Sequence, residues 1–190
     1  MSTTLSEIAA FLDQAGLKFK LDEDRNVAYL GFNTKTYTDG EGEHHMVVVI
    51  GVQERGEYIV FAAPQVYSCP PGHRHAAAVM ELMARLHWAS KLVAFEYDYR
   101  DGEIRASVRL VLEESPLTDR QFRRCLFGLP SCLDDFHEAF RRALDSGDVI
   151  DPMEWTANLA AAGNPSTPKR GAARRRTGRA SAEASVGLTE

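Results

Sequence analysis

The stretch from Val79 to Leu112, VMELMARLHWASKLVAFEYDYRDGEIRASVRLVL, decides the fold. Its first part has helical periodicity: Val79, Leu82, Met83 and Leu86 recur at i, i+3, i+4 and i+7. Its second part alternates with a period of two. Val93, Phe95, Tyr97 and Tyr99 are interleaved with Glu96 and Asp98, and Ile104, Ala106, Val108, Leu110 and Leu112 with Arg105 and Arg109. Arg100-Asp101-Gly102-Glu103 stands between the two runs, with Asp-Gly as the favoured tight turn. A helix leading directly into an antiparallel hairpin predicts an α+β domain in which helices pack on an antiparallel sheet. On the polar face of the hairpin, Glu96 or Asp98 is placed to pair with Arg105 or Arg109 across the strands.

The helix, predicted over about 73–90, has a second apolar stripe in Ala77, Met80, Ala84 and Trp88. Its polar side is narrow, mainly Arg74, Glu81 and Arg85. A helix apolar over most of its circumference needs cover on two sides. Either the domain wraps around it or the second stripe meets another chain.

Towards the N-terminus, Met46 to Val52 is apolar on both faces and predicts a central strand covered on both sides. Residues 57–63 return as its hairpin partner, and Lys18 to Leu21 and Asn26 to Phe32 supply two more strands around an acidic turn. A helix opens the chain, marked by the Thr4–Glu7 capping box, by Leu5, Ile8, Leu12 and Ala15 at helical spacing, and by Gly16 as a stop. Towards the C-terminus, Leu117, Thr118, Gln121 and Phe122 form a capping box with an apolar staple. Pro130 predicts a break there, Ser131 a restart and Gly147 the end. A short helix is expected over 151–162, with Pro152 at its first position. From Gly163 on, small and basic residues dominate and apolar ones are too sparse to offset chain entropy, so 163–190 is expected to be a disordered basic tail.

The formal charge of −5 is unevenly spread. The tail carries six basic and two acidic residues, leaving 16 basic against 25 acidic in the body. Such a body disfavours nucleic acid and anionic membrane, while the arginine-rich tail favours them. No apolar run reaches the roughly 18 residues needed to cross a bilayer, and the N-terminus lacks the pattern of a signal peptide. Three cysteines in no disulfide-like framework fit reduced thiols in a cytoplasm.

No phosphate-binding loop, nucleophile elbow or zinc-protease motif is present, and no catalytic residue is assigned. Cys69, His73 and His75 are spaced as partial zinc ligands without a second ligand pair, so no metal or other cofactor is assigned either. Cys125 and His137 fall on apolar helical stripes and read as core. Asp22, Asp24 and Asn26 imitate the start of a calcium loop, which then fails at Val27 and Asn33.

The run Met80 to Leu86, then Lys91 to Tyr99, Asp101-Gly102-Glu103-Ile104 and Leu117-Thr118 resembles the YbjN-like family of bacterial proteins, which is similar in fold to the class I chaperones of type III secretion. The resemblance implies a single domain over 1–150 with the element order αβββαββα. It also implies a non-enzymatic protein-binding module, chaperone-like or regulatory, that works as a homodimer and holds a segment of another protein on an apolar surface. Ala77, Met80, Ala84 and Trp88 are the expected partner or dimer surface. The rival readings are a metal-binding protein or enzyme using the Cys69–His75 loop, and a nucleic-acid-associated protein acting through its tail.

Overall fold

The computed structural model of the chain describes residues 2–163. The elements run α1 (Leu5–Gln14), β1 (Phe19–Asp22), β2 (Val27–Asn33), β3 (His45–Gln53), β4 (Tyr58–Ser68), α2 (Ala76–Ala89), β5 (Ala94–Tyr97), β6 (Glu103–Val111), α3 (Asp119–Asp145) and α4 (Pro152–Gly163). Six strands form one sheet in the order β1-β2-β3-β4-β6-β5, antiparallel at every pairing. The fold is therefore α+β, an antiparallel sheet packed with helices. Four strands precede α2, as the residues themselves indicate, one more than the order αβββαββα provides for.

Register fixes which side chains face the core. Leu30 lies opposite Val48, Ile50 opposite Phe61, Phe61 opposite Val108, and Ala106 opposite both Ala63 and Phe95. Directly opposed residues of antiparallel strands point the same way, and all of these are buried. Three helices cover this inner face. α3 contributes Phe122, Leu126, Leu129, Leu133 and Phe140, α1 contributes Ile8 and Leu12, and α2 contributes Val79, Leu82, Met83 and Leu86. Phe11 of α1 stacks on Phe122 of α3 at 5.1 Å, which seats the two helices side by side.

Both predicted capping boxes are formed. The Glu7 backbone N–H donates to Thr4 Oγ1 (3.2 Å) and the Thr4 N–H to Glu7 Oε2 (2.8 Å). The Thr118–Gln121 pair repeats the exchange at 3.3 and 3.0 Å. The Asp-Gly turn has a tertiary role as well. Gly102 adopts φ +81°, and a Cβ there would come within 2.3 Å of the Cys69 carbonyl oxygen. The Cys69 N–H in turn donates to Gly102 O at 2.8 Å, so the turn is pinned to the end of β4.

Two expectations are corrected. β3 is central in the sheet, but it is covered on one side only: Val47 remains 42% exposed on the outer face, where no helix of the described residues packs. The apolar run Met46–Val52 thus reflects an outer face that is itself rich in valine. Pro130 does not break α3, which is one helix from Asp119 to Asp145. A proline there forfeits the hydrogen bond to the carbonyl four residues back. Leu126, Leu129 and Leu133 are all fully buried around it, so packing on the sheet outweighs local propensity. The edges also shift. α2 begins at Ala76, β4 runs past Pro64 through a register slip at Gln65, and β5 ends at Tyr97, leaving Tyr99 exposed.

Because Pro130 is only half-buried, its cost is local. Pro130→Ala should stabilise the protein by about 1–3 kcal/mol, read as a rise in the urea midpoint. A fall would mean that the proline's own packing is needed to seat α3.

Candidate protein-binding surface

The outward face of α2 carries the second apolar stripe. Ala77, Ala84 and Trp88 are exposed, and Met80 is half-buried against the core. Trp88 stands out. It is 89% exposed, the largest value among the exposed large apolar side chains of the described residues. The spacing of four places Trp88 one turn beyond Ala84 and three beyond Ala77, so these residues line up along about 16 Å of helix. Glu81 and Arg85 form an ion pair beside the stripe.

α4 lies next to the C-terminal end of α2. Asp151 Oδ1 caps it by accepting the Met153 N–H at 2.8 Å, and Trp155 Nε1 donates to the Asp135 carbonyl of α3 at 2.8 Å. Between α2, α3 and α4 a groove of about 470 Å³ is lined by Ala89, Ser90, Phe136, Met153, Thr156, Ala157 and Ala160. No charged side chain lines it. Met153 at its rim is 65% exposed.

The outer face of the sheet is a second apolar surface, and the alternation read from the hairpin undervalues it. Val47 on β3 and Val111 on β6 are exposed, and Tyr29, Val49 and Val60 on the same face are half-buried. At the β5–β6 end this face becomes polar. Glu96 takes Arg105 Nε at 2.5 Å, Ser107 Oγ at 2.9 Å and an ion pair with Arg109. Burial pushes the Glu96 carboxyl up, yet the hydrogen bonds from Arg105, Ser107 and Arg109 outweigh it and hold the group below its ordinary value. Cross-strand pairing is thus made by Glu96, whereas Asp98 binds Arg100 within its own turn.

The remaining singled-out residues serve packing. Cys69 is fully buried, and burial raises its thiol. His73 Nδ1 accepts the His75 backbone N–H at 3.2 Å, and the His75 ring lies against Gly147, where a Cβ would meet Nδ1 at 2.6 Å. Among the described residues no group of three or more His, Cys, Asp or Glu side chains is placed to hold a metal ion. Cys125 sits in the core as expected, and burial pushes the Cys132 thiol up to about 12. Asp22 accepts the Arg25 N–H and Asn26 Nδ2 donates to Val52 O at 2.6 Å, so the calcium-like run is a hairpin turn tied to β3.

His137 does more than fill space. It is buried on α3 with Tyr67 Oη 3.3 Å from Nδ1 and Thr38 Oγ1 3.4 Å from Nε2, and the Tyr37 ring meets it edge-on. Asp134, one turn earlier, accepts the backbone N–H groups of Lys35, Thr36 and Tyr37 at 2.8–3.0 Å. Together they fasten the loop after β2 to α3. Neither anchor is evident from the sequence, because a loop whose donors are taken by one distant carboxylate leaves no periodic signal.

The tail from residue 164 on lies outside the described residues. None of the described helices is long and apolar enough to cross a membrane.

An open-backed antiparallel sheet, with helices on one side and apolar side chains left outward on α2, defines an α+β protein with exposed apolar surface on two faces. Neither a family model nor a curated protein matches the sequence. Among solved structures, the chain is similar to YbjN from E. coli, a "putative transcription regulator", at 16% identity, covering 72% of this chain and 92% of that one with a TM-score of 0.48. It is also similar to a chain of the ExsC–ExsE complex, at 19% identity over 74% of this chain and 97% of that one, with a TM-score of 0.49. The YbjN-like resemblance read from the residues has its counterpart in this similarity of chain path. At these values the likeness assigns neither activity nor partner.

Burial, with Arg141 and His44, lowers the His137 pKa below its ordinary 6.5, against the opposing pull of Glu138 and Asp134. The unfolded state therefore takes up this proton first as pH falls. Stability from His137 is complete above about pH 6.5 and is lost progressively below it. The urea midpoint should drop between about pH 7.5 and 5, and His137→Gln, which keeps the hydrogen-bonding capacity, should flatten that drop. An equal slope in both proteins would place the titration elsewhere.

Proposed function

We propose that this chain is a non-enzymatic protein-binding module, chaperone-like or regulatory, acting as a homodimer in a bacterial cytoplasm. The observation that carries the reading is Trp88. A tryptophan buries on the order of 150–250 Å² in a contact, and tryptophans concentrate where protein surfaces bind most strongly. Here the ring projects from a helix whose other face is already satisfied by the core. Ala77 and Ala84 behind it let a second backbone approach, and Met80 supplies an adaptable apolar contact. These four residues are the partner or dimer surface.

The valine-rich outer face of the sheet supplies a further apolar surface for a segment of another protein. The rival readings have less support. The Cys69–His75 loop offers a buried thiol and a histidine already engaged as an acceptor. The acidic balance of the body opposes a nucleic-acid role for the whole chain.

Sedimentation velocity tests the proposal. The full chain should sediment as a dimer at micromolar concentration, and Trp88→Arg or Met80→Asp should shift it to monomer with an unchanged circular-dichroism spectrum. A monomer at every concentration, indifferent to Trp88→Arg, would contradict it.

A further inference from the structure

The α2 stripe and the α2–α3–α4 groove lie side by side at the C-terminal end of α2: Trp88 projects as a knob, and Ala89 and Ser90, the next two residues, already line the hole. We infer that the occupant of the groove is Trp88 of a second copy of this chain, inserted reciprocally, so that each subunit gives one knob and receives one. The inference rests on the reading of the α2 stripe as a partner surface, and it extends that reading to α3 and α4, which lie outside the stripe.

Three observations favour this occupant. The first is fit. The groove's volume of about 470 Å³ accommodates an indole. Alanines 89, 157 and 160 leave the space, Phe136 offers an aromatic face for it, and Met153 at the rim offers a thioether. The second is charge. Lys91 follows the lining residues Ala89 and Ser90 in sequence, and Asp151 and Glu154 stand on either side of the lining residue Met153; all three are exposed and none is in an ion pair among the described residues. A two-fold axis between knob and hole would set Lys91 of one copy towards Asp151 and Glu154 of the other, the self-complementarity an isologous interface requires.

The third is extent. α2 and α4 have 14 and 12 residues, so the combined face is about 20 Å long and about 20 Å wide. That is about 400 Å² in projection, the scale of a small interface of modest affinity, which suits a dimer that forms at micromolar concentration. The segment that follows α4 is the other occupant to weigh, since its six basic residues also complement the acidic rim. It contains no aromatic side chain to fill an apolar hole, which is why the second copy is favoured.

The test uses the full chain in sedimentation equilibrium, with thermal midpoints recorded for every variant. Ala157→Phe fills the hole without touching the α2 stripe, and it should raise the dimer dissociation constant at least tenfold. Should that variant fold poorly, the charge pair gives an independent reading. Lys91→Glu should weaken the dimer severalfold, and Lys91→Glu combined with Glu154→Lys should restore it. A dimer broken by Trp88→Arg but indifferent to Ala157→Phe and to the charge swap would overturn the groove assignment and leave the α2 stripe as the interface. Loss of the dimer on replacing the six basic residues of 164–190 by Gln would place the tail in the groove instead, and would overturn the assignment too. A chain monomeric throughout would remove both the inference and the reading beneath it.

Discussion

One apolar sheet face organises the described chain. Burying it at about 25 cal/mol per Å² is what holds α1, α2 and α3 in place, and each helix gives it a single stripe. α1 has little apolar surface beyond that, and α3 leaves Phe127 39% exposed and Phe136 in the groove. α2 leaves a whole second stripe. Val79, Leu82, Met83 and Leu86 are consumed by the sheet and α3, and the opposite side still presents Ala77, Ala84 and a nearly naked Trp88. This excess is what the proposed partner surface would use.

Burial also sets the chemistry of several ionisable groups. Thiols at Cys69, Cys125 and Cys132 are raised by burial, which leaves them protonated and weak as nucleophiles or metal ligands. Burial likewise raises the Tyr67 hydroxyl and lowers the His137 imidazole, and both face other side chains of the same chain. Asp134 spends one oxygen on three backbone donors of the 34–37 loop. These groups anchor a loop to a helix.

Much of this was legible in the sequence because it is periodic. The hairpin around Asp101-Gly102, both capping boxes and the two stripes of α2 depend on spacing and on local chemistry, and they stand where spacing puts them. What was not legible is tertiary. Nothing local shows that Leu126, Leu129 and Leu133 grip the sheet firmly enough to carry α3 through Pro130. An apolar strand reads the same whether its second face is covered by helices or left outward, so Met46–Val52 overstated the cover of β3. The groove is invisible for a different reason: its lining comes from three helices, and small residues such as Ala157 and Ala160 carry no signal until their neighbours are placed.

The exposed indole of α2 is proposed to be covered by another polypeptide, and fluorine spectroscopy reads its surroundings directly. Incorporating 5-fluorotryptophan gives a fluorine resonance for each of the two tryptophans, and Trp155, already bonded to α3 through its ring nitrogen, serves as the internal reference. As the full chain is concentrated, the Trp88 resonance should shift and lose its sensitivity to solvent isotope while that of Trp155 holds still. A Trp88 resonance that stays solvent-sensitive at every concentration, and in native cell extract as well, would contradict the account.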